Sequence, residues 1–245
     1  HIPQYAPLMK AIEKEGHHVA RTQFSLNGVR STISEKDLLQ LIKNIKYSTC
    51  IYDKDGNLLR AFTGKDDSWL LPVTLKEINP NFIKATIAIE DKRFRQHHGV
   101  DIWAISRAVN LNATNKRVIS GASTISMQVI RILEGRKNRS FKNKILEAVH
   151  AIRLETLYSK DEILKLYFEI APYGGNIQGV KAASFRYFKK YPADLTLSEC
   201  ALLAGVPQSP ARLRPDRHPD KAKKRRDMVL SGMIKNGFIT ENQYE

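Results

Sequence analysis

FIKATIAIEDKRFRQHHGVD, residues 82–101, runs from an apolar segment straight into a carboxylate pair, basic residues, an aromatic ring and two histidines. Its first eight residues carry one charge, Lys84, and read as a single helix. A carboxylate at the end of such a run, Glu90 or Asp91, stands beside a hydrophobic wall, where desolvation favours the protonated form and raises the pKa. General acid–base chemistry near neutral pH uses an acid tuned in that way. The stretch thus points to a helical framework and makes Glu90 a candidate base.

From Leu75 onward the pattern is almost wholly helical, punctuated at Gly121, Ser159, Gly174-Gly175, Pro192 and Pro207. Capping boxes at Ser159 with Glu162 and at Thr196 with Glu199 predict that KDEILKLYFEI and LSECALLAGV are helices. Toward the N-terminus, TCIYDKDGNLLRAF reads as a β-hairpin turning at Asp55-Gly56. Residues 1–46 are polar, with one helix near SEKDLLQLIKNI that Ser34 can cap. The expected fold class is mainly α, divided into an N-terminal linker and hairpin segment, 1–70, and a main domain, 71–245. No repeat or low-complexity tract interrupts it.

At 245 residues and 42% hydrophobic content the chain can bury a sizeable core. Forty Lys and Arg against 25 Asp and Glu give a net charge of +15, which predicts a polyanionic partner: nucleic acid, an anionic membrane surface or a phosphorylated substrate. Cys50 and Cys200 have neither disulfide-framework nor metal-ligand spacing, and both are expected as buried thiols. No run approaches the ~18 apolar residues of a membrane span, and no signal peptide opens the chain. Beginning at His1, it is expected to be an excised piece whose anchor lies elsewhere.

Glu90 and Glu147 form the first chemical constellation. Reactions at a sugar hydroxyl or glycosidic bond use such a split pair, one carboxyl handling a proton while the other stays ionised. In RSFKNKILEAVHAIRLE, Phe141, Ile145, Ala148, Val149 and Ile152 share one helical face, which predicts an inward stripe and an outward polar row of Arg139, Asn143 and Glu147.

GASTISMQVIRIL, residues 121–133, is the second: Gly121 permits a turn, Ser123 or Thr124 can cap, and the exposed N–H groups of the next helix suit an anion. Gln128 and Arg131 add a donor and a cation. The third is a basic belt from Arg131 to Arg153, seven bases against two acids, a concentration of charge that a diphosphate needs. A further basic cluster, Arg212 to Arg226, lacks the interleaved aromatics that nucleic acid would stack on, so an anionic lipid surface is at least as good a partner.

These residues resemble a family. EDKRF with His98-Gly99-Val100-Asp101, then GASTISMQ, the Lys144–Glu147 segment, KDEILKLYFE and KRRDMVLSGM follow the order and spacing of the five motifs of bacterial peptidoglycan glycosyltransferases, across Leu75 to Ile239. The chain resembles the glycosyltransferase domain of class A penicillin-binding proteins and monofunctional transglycosylases, and MQVIR and APYGGN look most like the 1C type.

The resemblance implies a lysozyme-like fold that polymerises lipid II at the outer, periplasmic face of the cytoplasmic membrane, with residues 71–245 as the glycosyltransferase domain. It implies Glu90 as the base that deprotonates the acceptor's 4-hydroxyl, attack on the anomeric carbon of the lipid-linked donor with inversion, and release of undecaprenyl diphosphate. Glu147 becomes the second catalytic acid and metal-holding residue, with a divalent cation, Mg2+ or Mn2+, as the implied cofactor. Asp91, Phe94, His98, Ser123, Thr124, Gln128, Arg131, Arg139 and Lys144 match substrate-binding positions. The implied partners are lipid II, the growing glycan chain, the membrane surface and other cell-wall synthesis proteins, with no nucleic acid.

Four departures stand out. Met127-Gln128 replaces the family's Gln-Gln, Arg131 its Lys, Asn143-Lys144 its Arg-Lys and Phe168-Glu169 its Leu-Asn. They keep open a noncatalytic membrane-surface or glycan-binding scaffold. A lysozyme-like glycan-cleaving enzyme, with water in the acceptor's place, is the other rival, although it has no diphosphate for the belt to stabilise. The Ser-x-x-Lys pattern of a penicillin-binding serine is absent, so a monofunctional protein or a truncated one is expected. IWAISRAVNLNATNKRVIS is expected to be a partly apolar flap at the bilayer, with Ile102, Trp103 and Ile105 as insertion candidates.

Overall fold

The structure, a computed structural model, describes residues 34–64, 67–115, 123–135 and 140–244, without the side chains of 109–115 and 141. The chain forms two compact units, His1–Asn44 with Gln96–Ser159 and Ile45–Arg95 with Lys160–Glu245. The fold is mainly α, as the helical periodicity predicts.

The second unit begins with the hairpin. Strands β1 (Cys50–Tyr52) and β2 (Leu58–Ala61) pair antiparallel, and Gly56 takes φ +83° at the turn. The Asp53 carboxylate holds that turn by accepting the N–H groups of Asp55 and Asn57. Ile51 and Leu59 are exposed, so Cys50 is only half-buried, contrary to expectation, whereas Cys200 is fully buried. A two-stranded ribbon has too little depth to enclose a thiol.

Helix α1 (Glu35–Lys43) belongs to the first unit; in the second, β3 (Trp69–Leu70) leads into α2 (Pro80–Glu90). Helix α2 starts where the apolar run does: Asn79 caps it and Pro80 occupies its first position, where no N–H is needed. The Asn79 amide also donates to the carbonyls of Ala193 and Leu195, fixing the helix's entry. Phe82 is fully buried with its ring centroid 5.2 Å from that of Phe168. Truncating a core Phe costs about 3–5 kcal/mol.

Helices α6 (Lys160–Ile170), α7 (Val180–Phe188), α8 (Leu197–Gly205), α9 (Pro210–Leu213) and α10 (Pro219–Lys235) complete the unit, with α8 and α10 packed on α2 and on each other. The expected box at α8 is present, Thr196 accepting from the Glu199 N–H. Strands β4 (Pro172–Gly174) and β5 (Ile177–Gln178) join β3 in the order β3-β5-β4, β3 parallel to β5. Gly179 follows at φ +78°, and a Cβ there would stand 2.3 Å from the Glu169 carbonyl oxygen.

In the first unit, α1 carries the predicted Ser34 cap as a full box with Asp37. Helix α3 (Ile102–Asn115) begins with the Asp101 carboxylate accepting from the Ala104 N–H at 2.8 Å. Helices α4 (Ile125–Leu133) and α5 (Phe141–Leu157) pack on each other. The face that α5 buries differs from the predicted one. Ala148 of the predicted stripe is buried, but so are Glu147, His150, Ala151 and Leu154, while Ile145, Val149 and Ile152 are only half-buried.

Polar partners accompany that rotation of the face. Ser126 of α4 donates to Glu155, and His150 Nδ1 lies 2.6 Å from Glu134 Oε1. A polar face can turn inward where the side chains opposite it hydrogen-bond to it.

Candidate active site

Glu90 is the last residue of α2 and is half-buried, as a carboxylate ending an apolar helix should be. Asp91 caps the helix, only 7% exposed, its N–H donating to the Ile87 carbonyl at 3.2 Å. The Phe94 N–H then donates to the Asp91 carbonyl at 2.9 Å, closing the turn of EDKRF. Phe94 is fully buried, with the Lys160 ammonium 4.5 Å from its ring centroid. Arg95 pairs with Asp161 at 2.7 Å, so a second contact ties this turn to α6.

Two residues that are not among the sequence-based site candidates lie in the electrostatic field of Glu90. Burial, and then the charge of Glu90, push the Tyr173 phenol above its ordinary range. Burial pulls the Arg225 guanidinium down, and the charge of Glu90 opposes that shift. They sit in APYGGN and KRRDM, but residue type alone gives no sign that they approach Glu90.

The first unit carries the remaining described candidates. His98 is exposed and Gly99 is buried at φ +88°, where a Cβ would stand 2.6 Å from the Ile152 nitrogen and 2.7 Å from the Ala151 carbonyl oxygen. Only glycine lets this loop lie on the backbone of α5. Thr124 seals the contact: its hydroxyl donates to the Gly99 carbonyl at 2.6 Å and accepts the Met127 N–H at 3.2 Å as the cap of α4. Of the two capping candidates it is therefore Thr124 that caps, with Ser123 half-buried before it.

Gln128 is buried at 7% exposure, Arg131 one turn later is half-buried, and Lys144 is exposed on α5. Glu147 is 5% exposed, not the outward charge that the polar row predicts. Gly121 and Arg139 lie outside the described residues, as do Arg136 and Lys137 of the belt.

No group of three or more His, Cys, Asp and Glu among the described residues could hold a metal ion. Among the described residues no helix is long and apolar enough to cross a membrane.

The chain is thus mainly α, with one carboxylate ending an apolar helix, a second carboxylate buried in the other unit and a strong excess of cations. The family model described as Transglycosylase matches residues 55–234, and the chain belongs to that family, the peptidoglycan glycosyltransferases.

Penicillin-binding protein 1C of Escherichia coli K12 is 43% identical over 190 residues, covering 78% of this chain and 24% of that protein. Penicillin-binding protein 1A of the same organism is 42% identical over 195 residues, covering 80% and 23%, and penicillin-binding protein 1F of Bacillus subtilis 168 is 36% identical over 211, covering 86% and 28%. The chain spans about a quarter of the length of these curated relatives. A crystal structure of penicillin-binding protein 1A from Haemophilus influenzae aligns over 82% of this chain and 20% of its own, with TM-score 0.46 and 23% identity. The likeness to the 1C type expected from MQVIR and APYGGN agrees with the first of these relatives.

Proposed function

We propose that the chain polymerises lipid II into β-1,4-linked glycan strands at the outer face of the bacterial cytoplasmic membrane. The observation that carries this reading is the end of α2, where an apolar helix delivers the half-buried carboxylate of Glu90 in a chain of the transglycosylase family.

In the proposed reaction Glu90 takes the proton from the 4-hydroxyl of the acceptor's N-acetylglucosamine. The oxygen attacks the anomeric carbon of the lipid-linked donor chain from the face opposite the diphosphate. The new C–O bond forms as the bond to the diphosphate oxygen breaks, the anomeric centre inverts, and undecaprenyl diphosphate leaves with the electron pair. Charge grows on that leaving group, so cations aimed at it lower the barrier. Arg131, Arg139 and Lys144 are assigned this role, with Thr124 and Gln128 positioning the donor beside them.

Asp91, Phe94, His98 and Ser123 complete the substrate surroundings, Asp91 and Phe94 by shaping the turn that carries Glu90. A divalent cation, Mg2+ or Mn2+, would take Glu147 as a ligand and neutralise diphosphate charge; small hard cations commonly bind through one or two carboxylates plus phosphate oxygens. The bilayer is the second proposed partner. Trp103, on the first turn of α3, is 75% exposed, which leaves its ring outside the core and suited to a lipid interface.

The test is polymerisation of labelled lipid II in detergent with divalent cation, following release of undecaprenyl diphosphate by wild type and Glu90→Gln. Polymer from the wild type and at least about a 100-fold loss in the variant is the expected result. No diphosphate release by the wild type, under conditions where a relative is active, would remove the catalytic reading and favour a scaffold.

A further inference from the structure

The basic belt from Arg131 to Arg153 contains two acids, Glu134 and Glu147, and both are turned inward. Glu134 is the C-cap of α4, its N–H donating to the Ile130 carbonyl at 3.0 Å. It therefore follows Arg131 by three residues on continuous helical backbone, a spacing at which a carboxylate and a guanidinium are neighbours and can pair. No such pair forms. The Glu134 side chain, only 9% exposed, reaches α5 instead, where its Oε1 lies 2.6 Å from His150 Nδ1. Half-buried Arg131 is left with no hydrogen-bond or ion-pair partner among the described residues.

Nothing in the reaction as proposed uses His150. Its ring is fully buried, and Nε2 has no hydrogen-bond partner among the described residues, so the contact with Glu134 is the attachment that an aliphatic side chain could not make. An ionised carboxylate only accepts, so in this pair Nδ1 donates. At the opposite end of α4, Ser126 donates to Glu155 of α5, and His97 Nδ1 lies 4.0 Å from the same carboxylate oxygen. Polar attachments at both ends thus hold α4 in one register on α5.

We propose that His150 is a positioning residue for Arg131: by binding Glu134 it keeps that carboxylate off the guanidinium one turn earlier, which stays open to the diphosphate of the lipid-linked donor. This rests on the reading of Arg131 as a cation for the leaving group. A guanidinium bridged to a neighbouring carboxylate has fewer N–H donors and less net charge to offer, whereas an open one can grip phosphate oxygens bidentately. The acid inside the belt is in this way withdrawn from the cation it would otherwise neutralise.

The experiment compares wild type with His150→Leu, His150→Gln, Glu134→Gln, Glu134→Asp and the double variant His150→Leu/Glu134→Gln. Inorganic diphosphate binding by calorimetry and lipid II turnover are the two readings, with thermal unfolding to establish that each variant folds. Released from the imidazole, Glu134 turns to Arg131, so His150→Leu should bind diphosphate roughly five- to tenfold more weakly and lose turnover in proportion. His150→Gln keeps a donor and should stay within about twofold of wild type. The double variant should recover both readings, because an amide at 134 carries no charge to occupy the guanidinium. In an Arg131→Gln background, His150→Leu should change diphosphate binding by less than about twofold.

A histidine that serves packing alone gives another pattern. A loss in His150→Leu that Glu134→Gln does not restore, or that persists undiminished without Arg131, overturns the proposal. So does diphosphate binding that His150→Leu or Arg131→Gln leaves at the wild-type level. If His150→Leu does not fold, Glu134→Asp decides, since its shorter side chain withdraws from His150: a loss that Glu134→Gln does not share supports the proposal, and equal binding in the two overturns it. A wild type that makes no polymer but shows this diphosphate pattern would remove the polymerase reading and leave the positioning of Arg131 standing.

Discussion

The two units handle carboxylates in opposite ways. In the unit that carries Glu90, acids meet lysine or arginine near the surface: Glu77 with Lys181, Glu199 with Lys190, Asp216 with Arg214, Asp161 with Arg95. In the unit that carries Glu147, acids are drawn into the interface of α4 and α5 among hydroxyls and imidazoles, Glu155 beside Ser126 and His97, Glu134 beside His150. A surface ion pair is worth little and tolerates change, whereas a buried carboxylate is costly unless its hydrogen bonds are complete. The first arrangement leaves its carboxylates tolerant of change; the second makes a polar interior on the helix that also buries Glu147.

The largest effect expected from this contrast is catalytic. Glu90 is half-buried at a helix end, so Glu90→Gln should leave the unfolding temperature near wild type while removing about 100-fold or more of polymerisation. Glu147→Gln, at 5% exposure, should cost both activity and stability, the latter by about 1–3 kcal/mol if its hydrogen bonds are weakened. Thermal unfolding beside lipid II turnover checks the pair, and equal stability loss in the two variants would break the comparison.

Next in size is Gly99→Ala. The added Cβ would collide with the α5 backbone at 2.6–2.7 Å and force a left-handed alanine, so a loss above about 2 kcal/mol is expected in chemical denaturation. Gly56→Ala, also at positive φ but with nothing within 4 Å, should lose about 1 kcal/mol, the conformational part alone. Smaller still is Trp103→Ser, which should weaken binding to anionic vesicles by roughly 1–2 kcal/mol, less than full burial of an aromatic side chain, while leaving helix content unchanged. Unchanged vesicle binding would remove Trp103 from the proposed lipid contact.

Local signals were readable where local chemistry decides. Asp55-Gly56 marked the hairpin, apolar spacing marked α2, and Ser34, Thr124 and Thr196 cap the helices they were expected to cap. What sequence could not supply depends on residues far apart in the chain. Periodicity found Ala148 on the buried face of α5 but not Glu147 or His150, whose partner Glu134 lies at the end of α4. Gly99 stood beside EDKRF without a reason until the α5 backbone proved to lie against it. The two-residue strands β3 and β5 are too short for alternation to show. Tyr173 lies 83 positions from Glu90 and Arg225 lies 135, and nothing in their types betrays the proximity.

The smallest expected effect concerns acid. Glu77 is pushed up by burial but held below its ordinary 4.5 by hydrogen bonds from Lys181 and Thr74; Glu199 is held down in the same way by Lys190 and Thr196 against burial. Asp216 lies below its ordinary 3.8 chiefly through the hydrogen bond from Arg214. A carboxylate whose pKa is depressed by folding stabilises the folded state above its unfolded pKa, and that contribution fades as pH falls through the folded value. The unit holding these pairs should therefore keep its stability from pH 7 to 5 and lose it progressively below about 4.5, where the groups begin to take protons in the unfolded chain. Because Glu77 and Asp216 are partly exposed, salt should shrink the loss. Thermal unfolding from pH 7 to 3 at low and high salt, for wild type and Lys181→Met, checks it: the variant should show a shallower fall, and a fall as steep as that of the wild type would remove the Lys181–Glu77 pair from the account.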